Sequence, residues 1–285
     1  IRSAAKPSVP SARALTAASM ASASKPSAVC SVAASRAAIA ARCASSNVTG
    51  PDVVHAFTPA VTSNYRIVAT ASGWTPRFWV STTCGSPATC ITSDPQFTPT
   101  LPFVVRGTAG VPLYIHIDST SGANQGPYTL TVTQVTAPAN DTCAGATPLV
   151  LGANAGDFAN ATDDIQPGSP CSTLGSLRGE VVHTFTPPTT GRYAFRETTG
   201  TDVFLWMSSA CNDTCTRLTD EPEVLQGDLV AGTPVFIFVE PYYRSSTTNY
   251  SLTVEAAPVP ANDTCAAPQA LTSSVTVNGT TIGAN

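Results

Sequence analysis

After Lys25 the chain contains no lysine, and from position 52 onward eight scattered arginines face eighteen acidic residues. A protein that neutralises nucleic-acid phosphates needs a clustered cationic face, so nucleic acid is excluded as a partner. Long hydrophobic runs are missing too. None approaches the ~18–20 apolar residues that span a bilayer. Stretches such as Val235-Phe236-Ile237-Phe238-Val239 have the length of a strand, so membrane insertion is not expected. The N-terminus has no compact apolar core behind its basic residues, so no signal peptide is read and the chain is expected to begin inside a longer precursor. There is no G-x-S-x-G, no H-E-x-x-H, no Gly-rich phosphate loop and no Cys–His pair with a reason to be reactive. Catalysis is therefore not expected.

What is present is Thr, Val, Ala, Ser, Pro and Gly, with only 11% charged residues and two methionines. This is the usage of short strands joined by many turns. A length of 285 residues leaves room for about two domains. Residues 1–51 carry a formal charge of +6 and residues 52–285 one of −10. Residues 1–47 hold sixteen alanines and eleven serines with no acidic group. They read as a linker, as a degenerate opening of the first repeat, or as a translation out of frame, and not as an independent domain.

An internal repeat sets the organisation. Val53-Val54-His55-Ala56-Phe57-Thr58-Pro59 returns as Val181-Val182-His183-Thr184-Phe185-Thr186-Pro187, each followed eight residues after the Phe by Tyr65 or Tyr193. Trp79, Cys84 and Cys90 return as Trp206, Cys211 and Cys215, and Gly110-Val111-Pro112 as Gly232-Thr233-Pro234. Tyr128 to Val132 returns as Tyr250 to Val254. The offset falls from 128 to 122 along the way, as it does when loops shorten and strands keep their order. The joints Ala137-Pro138-Ala139-Asn140-Asp141-Thr142-Cys143 and Pro258-Val259-Pro260-Ala261-Asn262-Asp263-Thr264-Cys265 each open a copy. The expected domains are thus 48–137 and 138–257, with 258–285 as the truncated start of a third.

Tyr193, Phe195 and Glu197 alternate with Arg192, Ala194 and Arg196, the period of two that turns one face of a strand inward. Val111 to Ile117 and Val235 to Val239 are more continuously apolar, as central strands would be. Six to eight such segments in about 120 residues, separated by Gly, Pro and Asn turns, predict an all-β fold of tandem antiparallel β-sandwiches.

In their order these motifs resemble the bacterial pre-peptidase C-terminal domain and its relatives, including the collagen-binding domains of secreted collagenases. The second copy carries the pattern in its Asn140-Asp141 joint, its Glu180 to Phe185 strand, and Asp202-Val203-Phe204-Leu205. The turn Gly232-Thr233-Pro234 into Val235-Phe236 and the Tyr250 to Val254 ending complete it. The resemblance covers residues 139–255 well and 48–133 more loosely. The first copy departs from it, with no Asn-Asp joint and with Trp74-Thr75-Pro76 where the second has Thr201-Asp202-Val203. The resemblance implies a jelly-roll-like sandwich, appended to secreted hydrolases or strung along surface proteins, that helps binding or secretion and does not catalyse.

Nine cysteines fall four to a copy, Cys30, Cys43, Cys84 and Cys90, then Cys143, Cys171, Cys211 and Cys215, with Cys265 left over. Disulfides are the leading reading, and zinc is the rival because C-x₃-C lies near ligand spacing. The expected bridges are the sequence-local ones, Cys30–Cys43, Cys84–Cys90, Cys143–Cys171 and Cys211–Cys215, although four cysteines allow three connectivities. Disulfides place the protein outside the cytoplasm, secreted or at the cell surface.

No cofactor is required, but calcium is a candidate. Asn140, Asp141, Asp163 and Asp164 could supply hard oxygen ligands, and in collagen-binding relatives a linker Asn-Asp with early acidic residues binds calcium and stiffens the linker. The competing reading is a turn followed by a solvated acidic loop. His55 and His183 lie in phase with inward apolar residues and read as core or boundary histidines. Trp79 and Trp206 read as core, while Tyr242, Tyr243 and Arg244 in a loop are the candidate contacts for a sugar or peptide. The expected function is a non-catalytic extracellular spacer or adhesive array. The alternative is an accessory domain of a secreted hydrolase that binds an extracellular polysaccharide or matrix protein.

Overall fold

A computed structural model describes residues 53–84, 90–93, 103–119, 125–165, 171, 179–211, 215–219, 222–242, 248–279, 281 and 284. The chain divides into two compact units, residues 1–136 and 137–285. Among the described residues there is no α-helix, only strands, turns and one 3-10 turn at Cys143–Gly145.

The first unit contains β1 (Val53–Phe57), β2 (Ser63–Ala71), β3 (Pro76–Ser81), β4 (Cys90–Ser93), β5 (Phe103–Gly107), β6 (Leu113–Ser119) and β7 (Tyr128–Val135). They form two antiparallel sheets, β1-β6-β3-β4 and β5-β2-β7. The second unit contains β8 (Thr147–Pro148), β9 (Gly152–Asp157), β10 (Val181–Phe185), β11 (Gly191–Glu197), β12 (Val203–Ser208), β13 (Arg217–Thr219), β14 (Val224–Leu229), β15 (Val235–Pro241) and β16 (Asn249–Ala256). Its sheets run β13-β12-β15-β10-β8 and β14-β11-β16-β9. Apart from β8 and β9 the strand orders of the two units coincide.

Alternation decides which side chains meet between the sheets. In β11, Tyr193 and Phe195 are buried and Arg192 is not. They join Leu205, Ile237, Val239, Leu252 and Val254 in one core fed by both sheets. Ile67, Phe78, Val80, Phe103, Ile115, Ile117 and Leu130 do the same in the first unit. Each such side chain contributes about 1.5–3 kcal/mol. The unbroken apolar run of β12 has a different cause: all six of its residues are buried because the sheet's outer face is also covered. There Trp206 lies flat on Phe238, with ring centroids 3.6 Å apart, beside Val182 and the cysteines Cys171 and Cys215.

The repeated sequence motifs are turn chemistry. Gly110 and Gly232 both have left-handed φ, 76° and 73°, and each donates its N–H to the carbonyl of the repeated proline, Pro59 or Pro187, at 2.9 Å. A residue with a Cβ is strained in that conformation. The tyrosine that follows each Phe by eight residues reaches back four, Tyr65 to the Val61 carbonyl at 2.7 Å and Tyr193 to the Thr189 carbonyl at 2.8 Å. Its hydroxyl is thereby satisfied while its ring stays in the core.

The antiparallel expectation fails at one place. β8 pairs in parallel with β10, through His183 opposite Thr147 and Thr184 opposite Pro148. The ladder stops after two residues because Pro148 has no N–H to donate, and its effect is to cover the edge of β10. β9 then crosses to the other sheet and covers β16 over six residue pairs. That close approach depends on Gly156, where an added Cβ would lie 2.1 Å from Cζ of Tyr250. Gly156→Ala is expected to lower stability by about 1–3 kcal/mol through overpacking, measurable as a fall in the denaturant midpoint at unchanged slope.

Candidate functional site

The joint that opens the second unit is built into it. Asp141 donates its N–H to the Pro138 carbonyl at 3.2 Å, and the Asn140 carbonyl accepts from Val182 N at 2.8 Å. Both residues are buried, at 8% and 2% exposure. The Asp141 carboxylate accepts from Thr162 N at 2.6 Å and from the Thr162 hydroxyl at 3.0 Å. Thr162 Oγ1 also lies 2.8 Å from Asp164 Oδ2. A second buried carboxylate, Glu180, accepts from Asp164 N at 3.0 Å and Ile165 N at 2.7 Å. The loop carrying residues 162–165 is thus held by two carboxylates that face its backbone N–H groups, one from the joint and one from the residue preceding β10. Such charge-assisted bonds are the stronger kind.

The Asn140 side chain hydrogen-bonds the Tyr250 hydroxyl. That hydroxyl lies 2.5 Å from His183 Nε2, and His183 Nδ1 lies 2.8 Å from Thr147 Oγ1. Burial lowers the His183 pKa to about 4, partly offset by a hydrogen bond to the Thr147 backbone. The ring is therefore neutral, with Nδ1–H donating to Thr147 and Nε2 accepting from Tyr250. Four residues from three strands and the joint make one buried chain of hydrogen bonds. Satisfying every member is what allows polar groups to remain in a core.

Of the four residues named for calcium, Asn140 and Asp141 are interior ties, Asp163 is half-buried and Asp164 is exposed. Among the described residues no group of three or more His, Cys, Asp or Glu side chains stands in a metal-holding arrangement. Two acidic residues not among those four belong to this end of the unit. Glu180 is fully buried and Glu240, at the end of β15, is 1% exposed. Burial first, then the charges of Asp163 and Glu240, push the Glu180 pKa well above the usual carboxylate range, against the backbone bonds that lower it. The available signal was an acid closing each side of an apolar strand pair, repeated as Asp52 and Asp118 in the first copy.

The cysteine pairing is corrected. The bridges are Cys143–Cys211 and Cys171–Cys215, with Cα atoms 5.7 and 5.8 Å apart, inside the ordinary range. Each ties the segment leading from the joint to β10 onto the turn after β12, so neither closes locally as Cys143–Cys171 or Cys211–Cys215. Cys84 and Cys90 are also disulfide-bonded; Cys30 and Cys43 lie outside the described residues, and Cys265 is free and exposed. Disulfides of this kind form in an oxidising, non-cytoplasmic compartment. Among the described residues no helix is long and apolar enough to cross a membrane.

Tyr242 is half-buried and packs on Phe204 with centroids 4.9 Å apart. Tyr243 and Arg244 lie outside the described residues. Trp79 and Trp206 are core, at 6% and 0% exposure. In the first unit Ser81 Oγ lies 3.0 Å from His116 Nε2, but the pair is turned the wrong way for a nucleophile. Ser81 donates its own proton to the Thr83 carbonyl at 3.1 Å, so it accepts from His116. His116 Nδ1 has no partner among the described residues, and its ring stacks on Trp79 at 4.8 Å just as Phe238 stacks on Trp206.

No protein-family profile matches the chain, and no curated protein matches it by sequence. Among solved structures it is similar to an anti-sigma factor domain-containing protein from Clostridium clariflavum, with 14% identity, 72% of this chain and 78% of that one covered, and a TM-score of 0.21. It is also similar to the CUB1-EGF-CUB2 domain of human MASP-1/3, with 9% identity, coverage of 76% and 98%, and a TM-score of 0.23. The secreted serine protease VesC from Vibrio cholerae is 13% identical, with coverage of 74% and 48% and a TM-score of 0.21. Similarities at this level carry no argument about function.

Proposed function

We propose that the chain is a non-catalytic extracellular module, a run of sandwiches of the pre-peptidase C-terminal kind that spaces or presents other parts of a secreted or surface protein. The observation that carries this reading is the burial of Asn140 and Asp141. The segment that opens the second unit is tied to Val182, Thr162 and Tyr250 instead of hanging as a free linker, and a chain that spaces domains benefits from such a fixed path. Small-angle scattering of the intact chain tests it. The Asn140→Ala/Asp141→Ala variant is expected to give a broader distribution of interatomic distances with both units still folded. An unchanged distribution refutes a spacer role for the joint.

A further inference from the structure

We propose that Trp74, Tyr128 and His55 of the first unit form a binding platform for a neutral carbohydrate. The indole ring receives the apolar face of a pyranose, and the imidazole and the phenolic hydroxyl of the perpendicular Tyr128 hydrogen-bond its hydroxyl groups. This adds a binding function to a module read above as a spacer, and neither claim depends on the other.

Trp74 carries more ring than its hydrogen bond requires. Its Nε1–H donates to the Pro127 carbonyl at 3.2 Å, tying the turn after β2 to the start of β7. In the second unit the same tie is made by Thr201, whose hydroxyl donates to the Asn249 carbonyl at 2.9 Å. Asn249 precedes Tyr250 as Pro127 precedes Tyr128. A threonine is therefore enough for the tie; the indole adds ring area that packs in part against the core of the unit and in part stays exposed. Gly126 borders the indole edge, where an added Cβ would come within 3.2 Å of Nε1.

The pair His183 and Tyr250 of the second unit is sealed: β8 supplies Thr147 to His183 Nδ1, β9 runs along β16, and Phe158 lies 4.6 Å from the Tyr250 ring. His183 is 5% and Tyr250 2% exposed. The first unit repeats the pair, with Tyr128 Oη 2.5 Å from His55 Nε2. Among the described residues no strand covers the outer edges of β1 and β7. His55, Tyr128 and Trp74 all keep partial exposure.

Tyr128 stands nearly perpendicular to both neighbours, at 78° and 5.9 Å from His55 and at 81° and 6.3 Å from Trp74. Rings held edge to face present flat apolar surfaces beside fixed polar edges, the combination that orients a small ligand. Burial lowers the His55 pKa, so the ring is neutral. In the tautomer whose Nε2 accepts from Tyr128, Nδ1–H is left to donate to a ligand hydroxyl. With three uncharged partners the ligand class is a neutral saccharide.

The test is retention of the intact chain on insoluble cellulose, chitin and xylan, with tryptophan-fluorescence titration against the corresponding soluble oligosaccharides. Trp79 and Trp206 are buried, so a saturable change reports Trp74. Trp74→Thr, which reproduces the tie of the second unit, is expected to weaken binding by about tenfold or more with unchanged unfolding. Trp74→Phe, which keeps a ring and loses the tie, should retain most of it. No retention and no saturable change with any of the three polysaccharides overturns the proposal, as does a Trp74→Thr variant that binds like the parent.

Discussion

Replacing Cys143 and Cys211 together by alanine is expected to remove about 4 kcal/mol of stability, read as a fall in melting temperature of the order of 15 °C. The bridge spans 68 residues of sequence and its companion Cys171–Cys215 spans 44. Closing a loop that long restricts the unfolded chain far more than the four-residue step from Cys211 to Cys215 would. Set against a domain's total of about 5–15 kcal/mol, either bridge alone is decisive. The same variant separates two pairings. With long-range bridges, Cys171–Cys215 survives and non-reducing peptide maps still join the two regions. With local bridges, the double replacement would break two disulfides and leave Cys171 and Cys215 as free thiols. Recovery after denaturation of two free thiols beyond those of the parent, in which Cys265 is already free, would overturn the pairing.

The pairing also marks where sequence ceases to be informative. Alternation and turn residues act locally, so the strands and their all-β organisation could be read directly: Tyr193 and Phe195 face inward because a strand's period is two, whatever lies across from them. Which cysteine meets which depends on the path of the segment between Cys143 and Cys171 over the sheet, and nothing in its composition states that path. Residues Thr147 and Pro148 pair in parallel because the neighbouring edge of β10 is open to them, a tertiary cause with a two-residue footprint. The candidate site divides in the same way. Asn140 and Asp141 were legible as a special joint, but their use as interior hydrogen-bond acceptors and donors needs Thr162, Val182 and Tyr250 to be placed. Glu180 and Glu240 were visible only as strand ends, since burial of a carboxylate is invisible until its neighbours are known.

Acidification should act on the second unit through His183, and its sign follows from the lowered pKa. The folded ring resists protonation until about pH 4, whereas the unfolded ring titrates near 6.5. Stability contributed by the neutral ring is therefore complete above the unfolded value and is lost as the pH falls from 6.5 toward 4. The loss amounts to about 3 kcal/mol at the lower end. Physically, a proton on Nε2 turns an acceptor into a donor facing the Tyr250 hydroxyl and places a charge at a site 5% exposed. Glu180 works in the opposite direction: its pKa is raised, so its unfavourable contribution at neutral pH fades as it gains a proton. In His183→Gln, where an amide can still hydrogen-bond but cannot titrate, the acid-side loss of the second unit should largely disappear, while that of the first unit, where burial also lowers the His116 pKa to about 4, should remain. The opposing Glu180 trend should then emerge as a flat or slightly rising stability between pH 6.5 and 5. Denaturant midpoints measured across that range for the parent and the variant decide it, and parallel curves would show that His183 is not the group that carries the pH dependence.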